Sequence, residues 1–521
     1  MLQCQRMIAV ACCFVLIVGP CVGAEDQRAT TAGAEKKPTA KSAARITISA
    51  ETTFFAGPLT KDGYVDFRAA LNARFSKDVT AKNNALVGLL DATGPNPLGT
   101  EFPDEFFARL GIKRLPKKGK YFTDLHEFTP KPLWDKALRD WGVAMSRPWK
   151  KKQFPMVAAW LQANKEPLAV AVKAVRRPRF YHPWFAAGDD NMDVLLLLQL
   201  PALQVFRELA RKLQTRALLK LGSQDFDGAF DDVLAMHRLA RHLGQSPTLT
   251  GAIHGIAING MACHTGRVIA AQDKITAEKL KGFQRQLAGL PPCSDMARCI
   301  DQCERFLFLD VVQHLARKGA DSHLLNSLDI EDQVPIGRML KRLMAREMFT
   351  WDGVMRTSNQ WFDRLVAGFQ KETFKERDQA VLKVMAELGE AWNGLKRGEE
   401  LPKPAGGDPM KNKGRGKLVE RTIADLVAIL TIPAARTYIY AEIRDRLQTE
   451  ITLVAVALAI YKKEQGEYPA RLTDIVPIYM KKLPKEWAGN DVFYKRIADG
   501  YVLTAPNLAG SEVTARVPLD F

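Results

Sequence analysis

Residues 192–318 carry the clearest alternation of apolar and polar positions in the chain. Apolar side chains recur there at three- and four-residue spacing, which is the period of one helix face. The pattern predicts helices over about 202–221, 228–243, 249–271, 277–289 and 294–318. "GSQDF", "GQSPT" and "GLPP" punctuate it, each with a glycine that weakens a helix and the last two with proline. The stretch 249–271 is apolar or small almost all round, with Gly251, Gly255 and Gly260 along it. A helix without a polar face belongs at the centre of a bundle. Its glycines would let neighbouring backbones approach closely.

The flanks are less regular but also helical. Phe67 to Phe75 and a piece within 81–93 read as helices, preceded by a turn at Lys61 to Gly63. Three further pieces are expected at about 132–146, 154–164 and 166–175. Two or three amphipathic helices follow within 335–397, then a polar Pro/Gly/Lys-rich linker over 396–417. Helices over about 418–447 and 450–464 lead into a change of texture. "YKKEQGEYPARLTDIV" ends a helix in a Gly/Tyr/Pro turn, and two short aromatic strands follow. The predicted fold is therefore mainly α: a multi-helix body, bundle or irregular array, with a small C-terminal α+β module.

The N-terminus adds an export signal. Arg6 precedes an apolar run from Met7 to Gly19, and Val22 and Ala24 are small residues suited to cleavage after Ala24. The run is shorter than the roughly 20 residues of a membrane span. "VLLLLQLPALQVF" (194–206) is also short and is cut by Pro201, so it reads as a buried helix. The expected divisions are 1–24 signal peptide, 25–45 flexible tether and 46–190 mixed, mainly helical region. Residues 191–395 follow as helical core, 396–417 as linker, and 418–521 as C-terminal helices with the α+β module.

A formal charge of +17 favours anionic partners such as a membrane surface or an envelope polymer. Export argues against nucleic acid. "RRPRFYHPWF" concentrates Arg176, Arg177, Arg179, Tyr181 and Trp184. It suits either a groove for a polyanion or a loop whose rings cover the helical body. Cys263, Cys293, Cys299 and Cys303 remain after signal removal, and a bridge from Cys263 to the 293–303 segment is an option in an oxidising compartment.

Catalytic motifs are not found: no G-x-S-x-G, no P-loop, no dinucleotide fingerprint, so no catalytic residue and no cofactor is assigned. His237, His264 and His314, with Asp310 one turn before His314, could meet as a metal site in a bundle core. Satisfied core histidines are the plainer expectation. Asp189, Asn191 and Asp193 alternate as in a calcium loop, but Val194 stands where that loop needs glycine.

Two resemblances follow from particular residues. "GPLTKDGYVDFRAALN", "AVRRPRFYHPWF", "DDVLAMHRLARHLGQSPTL" and "ERFLFLDVVQ" resemble a group of uncharacterised exported bacterial helical proteins. That resemblance implies export and a helical architecture, without an activity. Residues 450–505 resemble the soluble part of type II secretion pseudopilins through Tyr461, Gly466, Tyr468, Pro469, Pro484 and Trp487. This implies a local helix–turn–sheet fold. The acidic calcium loop and the processed N-terminal pilin helix of that family are missing, so neither role transfers. The functional expectation is a non-catalytic, envelope-associated scaffold or protein-interaction protein, periplasmic or secreted, with envelope proteins as partners. A hydrolytic or metal-dependent enzyme with its site in the helical core, and a binder of anionic polymer, are the alternatives.

Overall fold

Helix starts follow the side chains that can cap them. Asp66, Asn84, Asp225, Thr248, Thr276 and Thr350 each accept a backbone N–H of the helix they precede. The computed structural model describes residues 46–97, 101–185, 195, 202–322, 324–325, 329–330, 334–345, 349–396, 409–432, 435–486, 488–506 and 512–518. The expected signal peptide, tether and calcium-like loop, and Trp487, lie outside them.

The N-terminal helices are α1 (Phe67–Phe75), α2 (Ala85–Thr93), α3 (Asp104–Arg109), α4 (Leu125–Phe128), α5 (Trp134–Ala144), α6 (Pro155–Ala163) and α7 (Lys165–Ala174). The middle of the chain supplies α8 (Ala202–Gly222), α9 (Phe226–Gly244), α10 (Leu249–Ala270), α11 (Ala277–Ala288) and α12 (Met296–Cys299). A single π-helical turn, Ile300–Glu304, joins α12 to α13 (Arg305–Lys318). A two-residue hairpin of β1 (Asp329–Ile330) and β2 (Val334–Pro335) leads to α14 (Ile336–Met344). The last helices are α15 (Trp351–Phe369), α16 (Phe374–Lys396), α17 (Pro409–Thr431) and α18 (Ala435–Gln465). The fold is mainly α, with one small antiparallel sheet at the C-terminus.

Two expectations about the C-terminal helices need correction. Residues 409–417 are not linker; they form the first turns of α17, which has Pro409 at its start, where the missing N–H costs nothing. The break between the last long helices lies between Thr431 and Ala435 rather than near residue 448.

Helix α10 is central, as its composition implies: it touches α8, α9, α12 and α18. Of its glycines, only Gly255 meets a neighbouring helix backbone, since a Cβ there would lie 2.6 Å from the Ala240 carbonyl and 2.8 Å from Gly244 N. Two apolar cores run through the protein. One gathers α2 to α11, and the other gathers α12 to α17, the N-terminal segment and the sheet. Both α10 and α18 contribute to each, which ties the expected sequence divisions together.

The Arg/aromatic stretch is a strap, fastened by two buried asparagines. Asn72 Oδ1 accepts from Tyr181 Oη at 2.7 Å and from Trp184 N at 2.9 Å, and Asn72 Nδ2 donates to the Trp184 carbonyl at 2.8 Å. Asn84 repeats the arrangement with Tyr181, accepting its N–H at 3.1 Å and donating to its carbonyl at 3.0 Å. Tyr181 and Trp184 are 4% exposed, so neither offers a ring to a polymer. Arg177 donates to the carbonyls of Ala81 and Asn84, Arg176 pairs with Asp231, and the Arg179 backbone bridges to residues 83–85. The groove reading of this stretch is corrected to the covering-loop reading. Asn72→Ala is expected to cost about 3 kcal/mol, because it leaves three buried partners unpaired. Urea unfolding measures it, and a loss below about 1 kcal/mol would speak against the clamp.

In the C-terminal sheet the order is β3 (Phe493–Ile497), β4 (Gly500–Pro506), β5 (Glu512–Val517), all antiparallel. Tyr501, Leu503, Ala505, Val513 and Ala515 point inward and are buried in the same core as α18. By the alternation of a strand, Phe493, Lys495, Val502, Thr504, Thr514 and Arg516 share the opposite face. The turn before the sheet is built as its sequence suggests. Gly466 has φ +88°, Tyr468 meets the Tyr501 ring edge-on at 5.0 Å, and Tyr494 Oη donates to the Pro469 carbonyl at 2.8 Å. Tyr461 packs on Tyr479, and Pro484 is buried. Glu486, 4% exposed, organises the next loop by accepting from Ala488 N and from both nitrogens of Asn490.

Candidate functional site

The histidines singled out from sequence do not converge. His237 lies in the core against Asn259, His264 stands beside Arg267, and His314 bonds Ser322 at 3.1 Å. Asp310 accepts from Leu195 N at 2.8 Å. Among the described residues no three His, Cys, Asp or Glu side chains are grouped to hold a metal ion, so the proposed cluster is not assembled. Helices adjacent in sequence had their histidines on different sides.

The disulfide that the sequence allowed as an option is also not formed. Cys263, Cys293, Cys299 and Cys303 are buried free thiols. Cys293 and Cys299 each lie 3.5 Å from a backbone carbonyl, of Ala240 and Ser246, while Cys263 faces Thr449 at 3.9 Å. Burial pushes the Cys299 thiol up to about 12, and those of Cys293 and Cys303 well above the ordinary value. These thiols are poor nucleophiles at neutral pH. A thiol titration should find these four unreactive in the folded chain and reactive after denaturation, with or without reductant. Two fewer thiols without reductant would contradict this.

What the structure does assemble is a polar seam between α10 and α18. Positions 259, 263 and 267 of α10 face 445, 448, 449 and 452 of α18, so the two helices run parallel. Four-residue spacing keeps each set on one helix face. Asn259 is the hub. Its Nδ2 donates to Asp445 Oδ1 at 2.7 Å and Thr449 Oγ1 at 2.9 Å. Its Oδ1 accepts from Arg241 Nη1 and, at 2.7 Å, from His237 Nδ1. One amide thus relays between a buried cation and a buried carboxylate that do not pair directly. His237 Nε2 has no protein partner, consistent with the tautomer that carries its proton on Nδ1.

At its far end the seam reaches a cavity of about 260 Å³ between α10 and the sheet. His264, Arg267, Tyr501, Thr514, Ala515, Arg516 and Val517 line it. Arg267 is half-buried and is held by Gln448 Oε1 at 3.0 Å and Thr452 Oγ1 at 2.9 Å. Burial lowers its pKa, and no acidic side chain among the described residues pairs with it. His264 is open to the cavity, yet restricted hydration and then the Arg267 charge lower its pKa. Tyr501 is raised, chiefly by burial, and stays a neutral phenol. The adjacent Cys263 and His264 diverge, one into the seam and one into the cavity.

Sequence reading named His264 for another purpose and missed Arg241, Asn259, Arg267, Asp445, Tyr501 and Arg516. The available signal was polar residues at helical-face spacing on otherwise apolar helices: 259 and 267, eight apart, and 445, 449 and 452, four and three apart.

Buried titratable groups give the fold a defined pH response. Burial raises Glu304 and Glu442 to about 7 and Asp445 to about 6. Burial lowers His182 to about 4 and His237 to about 3. The carboxylates bind protons more tightly when folded, so their penalty is relieved as pH falls through their folded values. The histidines act oppositely: their neutral form is required, and stability is lost once unfolded histidine protonates near 6.5. Thermal stability should rise as pH is lowered from about 8 to 6.5 and fall steeply below about 4.5. A monotonic rise of stability up to pH 8 would contradict the assignment.

No family model, no curated protein and no solved structure matches this chain.

Proposed function

We propose that this chain is an exported, envelope-associated interaction protein that docks an acidic protein segment on the outer face of its C-terminal sheet. The supporting observation is the one-sided packing of that sheet. Its inner face is buried against α18, while Phe493 on the outer face is 58% exposed. Lys495 is exposed on that same face, which sets a basic group beside the apolar centre. Export is supported by the apolar run from Met7 to Gly19 and the small residues at Val22 and Ala24. Among the described residues no helix is long and apolar enough to cross a membrane. The helical body, fastened by the strap and the seam, serves as a rigid carrier for the sheet. The likeness to the soluble part of pseudopilins belongs to this proposal too, as a local helix–turn–sheet fold.

Crosslinked capture from native envelopes tests the reading, with the full chain and its Phe493→Glu variant side by side. A protein partner with an acidic segment, recovered by the first and lost with the second, is the expected result. Identical recovery by both, or capture of anionic polymer alone, would overturn it.

A further inference from the structure

We propose that the cavity between α10 and β5 is a binding site for a carboxylate group carrying a short apolar body. This goes beyond the docking face and does not depend on it. The cavity joins two kinds of surface. Arg267 and His264 supply cationic or donor groups and Tyr501 a hydroxyl, while Thr514 and Arg516 border the cavity from the edge strand β5. Ala515 and Val517 supply apolar wall. No carboxylate lines the cavity among the described residues.

The case rests on Arg267. Its Nη1 is tied to Gln448 and Thr452 on α18, which fixes the side chain without neutralising it. A guanidinium withdrawn from bulk water and lacking a counter-charge is costly, and an anion delivered to it recovers that cost. The planar donor fork matches a carboxylate, and a fixed side chain loses little freedom on binding. The volume of about 260 Å³ admits a small group rather than an extended ligand. Lowered pKa values at His264 and Arg267 fit an anion site that is not neutralised from within.

Two sources could present such a group: a free short-chain acid, or the C-terminal carboxylate of a polypeptide. Nuclear magnetic resonance of the His264 ring, with the full mature chain, separates them and tests the site. Propionate, succinate, and a peptide with a free or an amidated C-terminus are the probes. Saturable shifts of His264, with its pKa raised by about one unit, are expected from at least one carboxylate. Tighter binding of the free-ended peptide than of propionate points to the polypeptide source, and the reverse order points to the free acid. Arg267→Gln should weaken the effective probe about tenfold. Arg516→Gln, at the exposed rim, should weaken it about threefold and guards against a folding defect in the first variant. Phe493→Glu should leave it unchanged, so failure here and failure of the docking face are distinguishable. Absence of a saturable shift with every probe, equal binding of the amidated peptide, or unchanged affinity in both arginine variants would each overturn the proposal.

Discussion

Gly244→Ala is expected to lower the unfolding free energy by more than about 3 kcal/mol, among the largest effects of a single methyl group in this chain. The last residue of α9 lies against the Cys293 segment, and a Cβ there would sit inside contact distance of the Cys293 carbonyl oxygen. That obstacle is backbone, which cannot rotate away. The same glycine receives Gly255 of α10, so two helices and a loop meet at one point without side chains. Gly260→Ala is the internal comparison. Nothing lies within 4 Å of its added Cβ, and its substitution should be neutral or gain up to about 1 kcal/mol from helix propensity. Urea unfolding of both variants separates close backbone approach from a general intolerance of change in these helices. Equal effects of the two substitutions would refute it.

The second large effect is expected at the hub of the seam. Asn259→Leu removes an acceptor from Arg241 and His237 and a donor from Asp445 and Thr449 in a single step. It leaves a cation and a carboxylate buried with their shared partner gone, so a loss of about 3–5 kcal/mol is expected. Asp445→Asn should cost less, since it removes the charge that burial disfavours while keeping the shape. It should also reduce the gain in stability on acidification, because the raised Asp445 carboxyl no longer contributes. Thermal melts across the pH range read both. An Asn259→Leu variant as stable as the parent would mean the seam is not a structural element.

The helices were legible because their apolar period, caps and breakers agree. Helix α10 shows the strength and the limit of that reading. Its lack of a polar face correctly placed it at the centre, yet the pattern could not tell which glycine carried the close contact. Gly255 does, whereas Gly251 meets only Ser246 and Thr248 and Gly260 meets nothing. The first turns of α17 were hidden because Gly414, Gly416 and the lysines around them carry loop composition, and tertiary packing of the rest of the helix overrides it. The strap illustrates a different failure. Arg176 to Trp184 has the composition of a binding surface, but Asn72 and Asn84, about a hundred residues upstream, turn its rings inward. The seam was invisible for the same reason. Asn259 and Asp445 are 186 residues apart, and only the parallel packing of α10 and α18 makes them neighbours.

The docking face of the C-terminal sheet is the centre of the functional account, and a photo-crosslinking residue placed at Phe493 tests it most directly. Leu138, also exposed at 44% but on α5, provides the control position. Irradiation in intact envelopes should give one discrete protein adduct from position 493 and none of the same mass from position 138. The same adducts from both positions, or none from position 493, would contradict the account.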